Sequence, residues 1–213
     1  METVIAYLPA IFASTGITLM LFITAALIGA TGGLAIAVAH TAHPLLRIPA
    51  RLIVSVIQGT PTLLQLFVVH YGLAILGLRL PPLISAVVAL AIFASGFLGE
   101  IWRGAMEAVP RTQWDASRSL GFGRLHAMVL LVGPQALWIA LPATVGFLVS
   151  LLKTTSLASI IGIVDLTKTG TMVANLSFEP MLVYGIVAAI YFALCWPLSL
   201  LSRRLERLQH GAR

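Results

Sequence analysis

The chain has 213 residues, of which 59% are hydrophobic and only 9% are charged, with a formal net charge of +6. Soluble domains carry about 25% charged residues, and the apolar residues here fall in long blocks, so these values exclude a water-soluble globule. The single cysteine, Cys195, excludes an intrachain disulfide and a cysteine-based metal site. The basic residues lie at the ends of apolar segments and do not form a patch with interleaved aromatics, which argues against a nucleic-acid partner.

Five apolar segments reach the length of about 20 residues that a helix needs to cross a membrane. They are Thr15–Ala39, Leu52–Gly77, Leu83–Trp102, Gln135–Ser159 and Met181–Ser202. Because backbone that faces lipid must satisfy its own hydrogen bonds, we predict an all-α membrane protein with one transmembrane domain over residues 1–213. Glu2 is the only charged residue before Arg47, which is unlike the basic start of a signal peptide, so we expect the first segment to stay in the mature protein.

The basic residues are distributed unequally between the two sides of the predicted bundle. If the N-terminus is outside, the outer loops contain only Arg79 and Lys168. The inner loops and tail then contain ten arginines, which are Arg47, Arg51, Arg103, Arg111, Arg118, Arg124, Arg203, Arg204, Arg207 and Arg213. The positive-inside rule therefore predicts that the N-terminus is outside and the C-terminus is in the cytoplasm.

Two patterns predict contacts that hold the spans together. Gly29 and Gly33 follow Ala25 at four-residue spacing in the first span, which lets another helix approach closely as ordinary intramembrane packing. Glu100 and Arg103, near the inner end of the third span, have the i,i+3 spacing of a local ion pair. We interpret that pair as structural.

The second span contains a possible break. Thr60 and Pro61 have the order of a helix cap followed by a first-turn proline, and this order predicts a new half-helix within the span. The alternative is that Pro61 only kinks the span. Gln65 lies one turn further on and is a candidate for a solute path, since transporters often present binding groups at broken helices. His70 is interpreted as a hydrogen-bonded packing residue.

Between the third and fourth spans lies a long polar loop, Arg103–Gly133, on the predicted cytoplasmic side. Its local signals, in chain order, are the helix-stopping Pro110, a capping box from Thr112 to Asp115, the flexible Gly121, a helical pattern over Phe122–Val132 and the first-turn Pro134. Together they predict a helix, a glycine turn and a second helix. A connection this long in a compact membrane protein is usually functional.

The loop resembles the EAA loop of ATP-binding-cassette importer permeases. That pattern is EAA, three residues, Gly, nine residues, Ile, one residue, Leu-Pro. Here the matching positions are Asp115-Ala116-Ser117, Gly121, Leu131 and Gly133-Pro134, so Asp, Ser, Leu and Gly replace four family residues. Three further stretches resemble the polar amino-acid branch, and the likeness then covers nearly the whole chain. They are Gln58–Leu66, Glu100–Gly104 and Ser150–Leu157.

This resemblance implies a multi-pass permease subunit in the bacterial inner membrane and no catalytic site of its own. The implied partners are a second permease subunit, identical or different, a cytoplasmic ATPase dimer and an extracytoplasmic solute-binding protein. The two lysines of the chain, Lys153 and Lys168, do not lie in a phosphate-binding loop. ATP-Mg is therefore expected on the ATPase, and no cofactor or metal is expected in this chain. The residues expected to couple to the ATPase are Trp114, Asp115, Ala116, Ser117 and Gly121. The alternative for two of them is that Trp114 anchors at the membrane interface and Asp115 only caps a helix.

A solute path is predicted where Lys153 lies beside Thr154 and Ser156 in the fourth span, with Gln65 as a further candidate. In one interpretation the ammonium group binds a carboxylate of the solute while the hydroxyls donate hydrogen bonds. In the other, Lys153 extends to the membrane interface or pairs with Asp165.

Two other functions predict different residues within the spans. An ion-coupled secondary transporter predicts inverted repeats and a carboxylate deep in the membrane, and the sequence contains neither feature. An intramembrane enzyme predicts a nucleophile with a base, a carboxylate pair or a metal motif within the spans, and we find none of these.

Overall fold

A computed structural model of the chain describes residues 2–42 and 44–211, nearly all of them helical. The α-helices are α1 (Glu2–Ala42), α2 (Pro44–Gly59), α3 (Thr62–Phe67), α4 (Leu73–Ile75), α5 (Pro82–Ala108), α6 (Arg111–Ser119), α7 (Arg124–Ala127), α8 (Gly133–Thr154), α9 (Leu166–Ser177) and α10 (Pro180–Gly211). A π-helical turn, Val68–Gly72, joins α3 to α4, and a second one, Met128–Val132, joins α7 to α8. Arg213, one of the predicted inner arginines, lies outside the described residues.

Four helices in the described residues are long and apolar enough to cross a membrane, and there are five spans if one bent pair is counted as a span. The four are α1, α5, α10 and the continuous segment Met128–Ile161, which contains α8. The bent pair is α2 with the segment Thr62–Ile75. These helices agree with the predicted all-α class and its number of spans.

Helix α5 lies at the centre of the bundle and packs against α1, α2 and α8. Its contact with α1 is close because both helices present small residues. A Cβ atom built on Gly33 would lie 2.9 Å from the Leu98 Cβ, and one built on Gly29 would overlap the Ala94 Cβ. The close helix approach predicted from Gly29 and Gly33 is therefore confirmed.

Three predicted spans are shorter than the helices that contain them. Helix α1 begins at Glu2, not Thr15, because its first turns are part of the tertiary core. Val4 and Ile11 are buried in a cluster with residues of α9 and α10, which are Leu166, Val173, Ala174, Val183 and Val187. Helix α5 continues past Trp102, and α10 continues past Ser202. For these three spans, apolar length gave the position but underestimated the length of the helix.

The second span is broken, as the half-helix interpretation predicts, and is not merely kinked. Helix α2 ends at Gly59, and Thr62–Ile75 leaves it at an angle of 103°. Pro61, with ψ at 134°, is the N-cap of the new helix and makes no side-chain cap bond. Thr60 was expected to be that cap, but its hydroxyl donates to the Val56 carbonyl at 2.8 Å in the preceding helix.

The fourth predicted span changes its helix type near its end. The α-helix ends at Thr154, and Thr155–Ile161 continues as a tighter 3₁₀-helix. Hydroxyl groups donate to carbonyls one turn back, from Thr155 to Leu152 at 2.7 Å and from Ser156 to Lys153 at 2.8 Å. Such bonds compete with the regular α-helical pattern. The segment ends at Gly162, whose φ of +95° favours glycine.

Candidate translocation and coupling site

Gln65 lies directly at the break in the second span and closes it. Its amide nitrogen donates to the Ile57 carbonyl at 2.7 Å, and it lies 2.9 Å from the Thr60 hydroxyl. Ile57 belongs to the last turn of α2, where carbonyls have no partner within the helix. The side-chain nitrogen of this predicted path residue is therefore engaged in holding two half-helices, and its oxygen is buried without a hydrogen-bond partner in the described structure.

The predicted path residues of the fourth span lie at the transition from α8 to the 3₁₀-helix. Lys153 is exposed, and Thr154 and Ser156 are half-buried. The hydroxyls of Thr154 and Ser156 both donate to backbone carbonyls, and their oxygen lone pairs remain available as acceptors. The structure therefore places these three residues within one turn of each other at this transition, while Gln65 lies at the break in the second span.

Asp165 has a role other than the predicted pairing with Lys153. It is fully buried, and its Oδ1 accepts a hydrogen bond from the Lys168 backbone nitrogen at 2.9 Å as the N-cap of α9. The next amide, that of Leu166, donates to the Thr18 hydroxyl of α1 at 3.1 Å. Across the described residues no ion pair joins Asp165 to Lys153, so the pairing interpretation is wrong.

Burial raises the pKa of Asp165, because the desolvation of the charged carboxylate outweighs its backbone hydrogen bonds. Its pKa is thus higher in the folded than in the unfolded chain, and the folded chain binds the proton more tightly. Protonation of Asp165 therefore stabilises the folded chain. This stabilisation is fully present below the ordinary pKa of about 4 and is lost as pH rises through the raised pKa of the folded chain.

Asp165→Asn is expected to flatten this pH dependence, because the amide keeps the Oδ1 cap acceptor and does not ionise. Thermal unfolding in detergent, measured from acidic to neutral pH, checks the expectation. The wild-type midpoint should fall as pH rises while the variant changes less, and parallel curves for the two proteins would contradict it.

A charged cluster lies at the end of the bundle where α1 ends, α2 begins and α5 approaches its last turns. Arg103 contacts the carboxylates of Glu100 at 2.5 Å and Glu107 at 2.6 Å, which confirms the predicted Glu100–Arg103 pair. The Arg51 Nε donates to the His40 Nε2 at 3.0 Å. Since a guanidinium only donates, the His40 proton is on Nδ1, which lies 3.9 Å from the Glu107 carboxylate.

Part of this cluster was missed by the sequence interpretation. His40 was not singled out as a site residue, and Arg51 was used only as an orientation signal. The sequence contained a signal for a polar face on α2. Polar residues recur there every three or four positions and so share one face of the helix, and they are Arg47, Arg51, Ser55 and Gln58. Three of these, Arg51, Ser55 and Gln58, line a cavity of about 350 Å³ with His40, Glu100 and Arg103.

Helix α6 of the long loop begins at Arg111 and is not capped as predicted. Pro110 occupies the N-cap, no side chain caps the helix, and Thr112 lies within its first turn. The predicted capping box is therefore wrong, because Pro110 starts the helix two residues earlier. The Asp115 carboxylate contacts the Arg118 guanidinium at 3.4 Å instead.

The other end of α6 has a defined glycine turn. Gly121 has φ of +78° and donates to the Arg118 carbonyl at 2.9 Å. The Phe122 amide donates to the Ser117 carbonyl at 3.0 Å. These two bonds, together with the left-handed glycine, form a Schellman motif. The turn fixes where α6 ends and where α7 begins.

The five predicted coupling residues divide into two groups. Ser117 is fully buried, and Trp114 packs against a cluster that contains Ala105, Val109 and Val132. Asp115, Ala116 and Gly121 are exposed, together with Leu120, whose side chain is 71% exposed. Trp114 and Ser117 thus hold α6 against the bundle. The outward surface is formed by Asp115, Ala116, Leu120 and Gly121.

A bundle of apolar spans with a broken second span, polar side chains at the break and a short helix held on one end has the features of a membrane-embedded subunit of a transport system. The chain matches the family model for the binding-protein-dependent transport system inner membrane component over residues 29–210, and it belongs to this family. It is therefore a multi-pass inner-membrane permease subunit of an ATP-binding-cassette importer and not an enzyme, and ATP hydrolysis resides on a separate chain.

Named relatives align over nearly the full length. The chain is 30% identical over 200 residues to the "Probable amino-acid ABC transporter permease protein YckA" of Bacillus subtilis. This alignment covers 93% of this chain and 88% of YckA. It is 30% identical over 212 residues to the histidine/lysine/arginine/ornithine transport system permease protein HisM of Salmonella typhimurium, with 93% and 90% covered. A crystal structure of an amino acid ABC transporter with histidines is similar, with a TM-score of 0.89, 33% identity and 97% of each chain covered.

Proposed function

We propose that this permease subunit conducts a polar amino acid or a related compound into the cell and that α6 transmits the motion of a cytoplasmic ATPase. The observation that carries the proposal is the geometry of α6, with an exposed surface of Asp115, Ala116 and Leu120 and an inner side fixed by Trp114 and Ser117. A short helix held in this way moves as a rigid body with the bundle. The names of YckA and HisM support the substrate class.

The proposed orientation places the N-terminus outside and the C-terminus and α6 in the cytoplasm. It is supported by the excess of arginines at the α6 end of the bundle. The proposed assembly contains a second permease subunit, an ATPase dimer that binds ATP-Mg, and an extracytoplasmic solute-binding protein. Pairing of permeases is supported by the small number of spans, because a bundle of five is too thin to enclose a path.

Lys153, Thr154 and Ser156 are proposed to contribute to the solute path. Lys153 has an exposed ammonium group, and among the described residues no carboxylate forms an ion pair with it. A substrate carboxylate would supply the missing counter-charge, and the Thr154 and Ser156 hydroxyl oxygens would accept hydrogen bonds from a substrate ammonium. Gln65 is proposed to shape the path by holding the break in the second span.

Lys153→Met is expected to raise the KM for uptake about tenfold or more, because a charge-assisted hydrogen bond contributes about 1.5–3 kcal/mol. Proteoliposomes that contain this chain, its ATPase and its binding protein provide the measurement, with labelled amino acid outside and ATP inside. Lys168→Met is the matched control, since Lys168 is also near the predicted outer face but belongs to α9.

Unchanged uptake kinetics in Lys153→Met would remove this residue from the path without affecting the proposed coupling. Uptake that continues without ATP while an ion gradient is maintained would overturn the proposed energy source.

A further inference from the structure

An apolar groove lies on the outside of the bundle near α6. It has a volume of about 390 Å³, and almost all of its lining is apolar. Its walls are formed by Leu34 and Val38 of α1, Trp102 and Met106 of α5, and Val129 and Leu137 of the fourth span. Four of these side chains, Leu34, Val38, Val129 and Leu137, are exposed in the isolated chain. The groove has the chemistry of a hydrocarbon-binding surface.

A polar cleft of about 760 Å³ adjoins this groove and shares Met106 with it. The cleft lies between α6 and the neighbouring ends of α1, α2 and α5. Its charged lining residues are Arg47, Glu107, Arg111, Asp115 and Arg118. The molecule therefore presents an apolar groove and a charged cleft side by side, at the end of the bundle that carries α6.

The charges in the cleft are not balanced internally. Glu107 is paired with Arg103 at 2.6 Å, and Asp115 is paired with Arg118 at 3.4 Å. In the part of the chain that the structure describes, neither Arg47 nor Arg111 forms an ion pair, and both are exposed. Two guanidinium groups thus face the cleft without a counter-ion, which favours an anionic ligand.

We propose that the cleft and groove together bind one anionic phospholipid of the cytoplasmic leaflet. The phosphate contacts Arg47 and Arg111, and an acyl chain lies in the groove beside Val38 and Val129. Guanidinium groups match phosphate oxygens through paired N–H donors, and basic pockets at the cytoplasmic ends of spans are typical headgroup sites. The inference uses the proposed orientation but does not depend on the ATPase or the transported solute.

The position of the apolar groove beside the charged cleft favours an anionic phospholipid over a soluble anion or a zwitterionic lipid. A soluble phosphate would satisfy the arginines and leave the groove unfilled. A zwitterionic lipid would fill the groove but would bring an ammonium group towards two uncompensated guanidiniums. A bound anionic lipid would connect the ends of α1 and α2 with the start of α6, so it would stabilise the position of α6 on the bundle.

The test uses the full-length chain purified in detergent and titrated with dioleoylphosphatidylglycerol, with bound lipid counted by native mass spectrometry. Arg47→Gln and Arg111→Gln are each expected to weaken binding about fivefold, the effect of one basic residue near an anionic lipid surface. Arg79→Gln is the matched control and should leave binding unchanged, because Arg79 is an exposed arginine in the segment before α5, at the other end of that helix. Circular dichroism verifies that each variant remains folded.

Two further comparisons separate the possible ligands. Val129→Trp fills the groove and should also weaken phosphatidylglycerol binding, whereas Val164→Trp, at another exposed valine, should not. Dioleoylphosphatidylethanolamine should bind more weakly than phosphatidylglycerol. Equal binding of both lipids, wild-type binding by the two arginine variants, or complete displacement by millimolar inorganic phosphate would each overturn the proposal.

Discussion

Gly121→Val is expected to reduce ATP-driven uptake about tenfold or more while the protein still inserts into the membrane. Gly121 has φ of +78°, a conformation that costs an L-residue roughly 1–2 kcal/mol and is least tolerated by a β-branched side chain. The strain would break the Schellman motif that ends α6, so the exposed surface of Asp115, Ala116 and Leu120 would lose its fixed position. ATPase activity stimulated by the loaded binding protein provides the measurement in proteoliposomes.

Gly123→Val is the matched control, because Gly123 lies two residues further along the same loop without a positive φ and without atoms that a Cβ would meet. It should retain most of the coupled activity. Wild-type coupling in Gly121→Val would show that the turn does not position the ATPase-binding surface. Equal losses in both variants would indicate that the loop tolerates no side chain, and would argue against the specific role of the turn.

Gly29→Ala is expected to destabilise the bundle by roughly 1–3 kcal/mol, the usual cost of adding volume to a closely packed core. The new methyl group would overlap the Ala94 Cβ at the contact between α1 and α5. Because α5 is the central helix, separation of these two helices would disturb the whole bundle. Thermal unfolding of the purified chain in detergent gives the change in stability.

Gly16→Ala is the control in the same helix, since a Cβ at Gly16 meets no atom within 4 Å. Its stability should be unchanged or slightly higher, because alanine is a better helix former than glycine. Removal of the opposing methyl group in the double variant Gly29→Ala/Ala94→Gly should restore part of the lost stability. No destabilisation in Gly29→Ala would contradict the close α1–α5 contact.

The sequence predicted the general architecture because the bilayer imposes rules that act on local composition. Apolar length located the spans, and the spacing of Gly29 and Gly33 indicated a close helix contact that the structure confirms. Glu100 and Arg103 were paired correctly, since both lie one turn apart on a single helix. In each case the signal lies in neighbouring residues of one helix or in the length that the lipid bilayer imposes.

The parts of the candidate site that were missed depend on residues far apart in the sequence. His40 and Arg51 meet only because α1 and α2 fold against each other, and Glu107 approaches them only because α5 extends beyond its apolar block. Asp165 is buried and caps the N-terminus of α9, whereas the sequence suggested that it pairs with Lys153. Local patterns contain no information about such partners.

The sequence by itself therefore determined that this chain is helical, crosses a membrane several times and has a helix–glycine–helix loop between two spans. Only the tertiary structure decided that the second span turns by 103° at Pro61, that Trp114 and Ser117 face inward, and that Arg47 and Arg111 share a cleft beside an apolar groove. The physical reason is that the first group follows from hydrogen bonding and solvation along the chain. The second follows from packing between helices whose contact surfaces are distant in sequence.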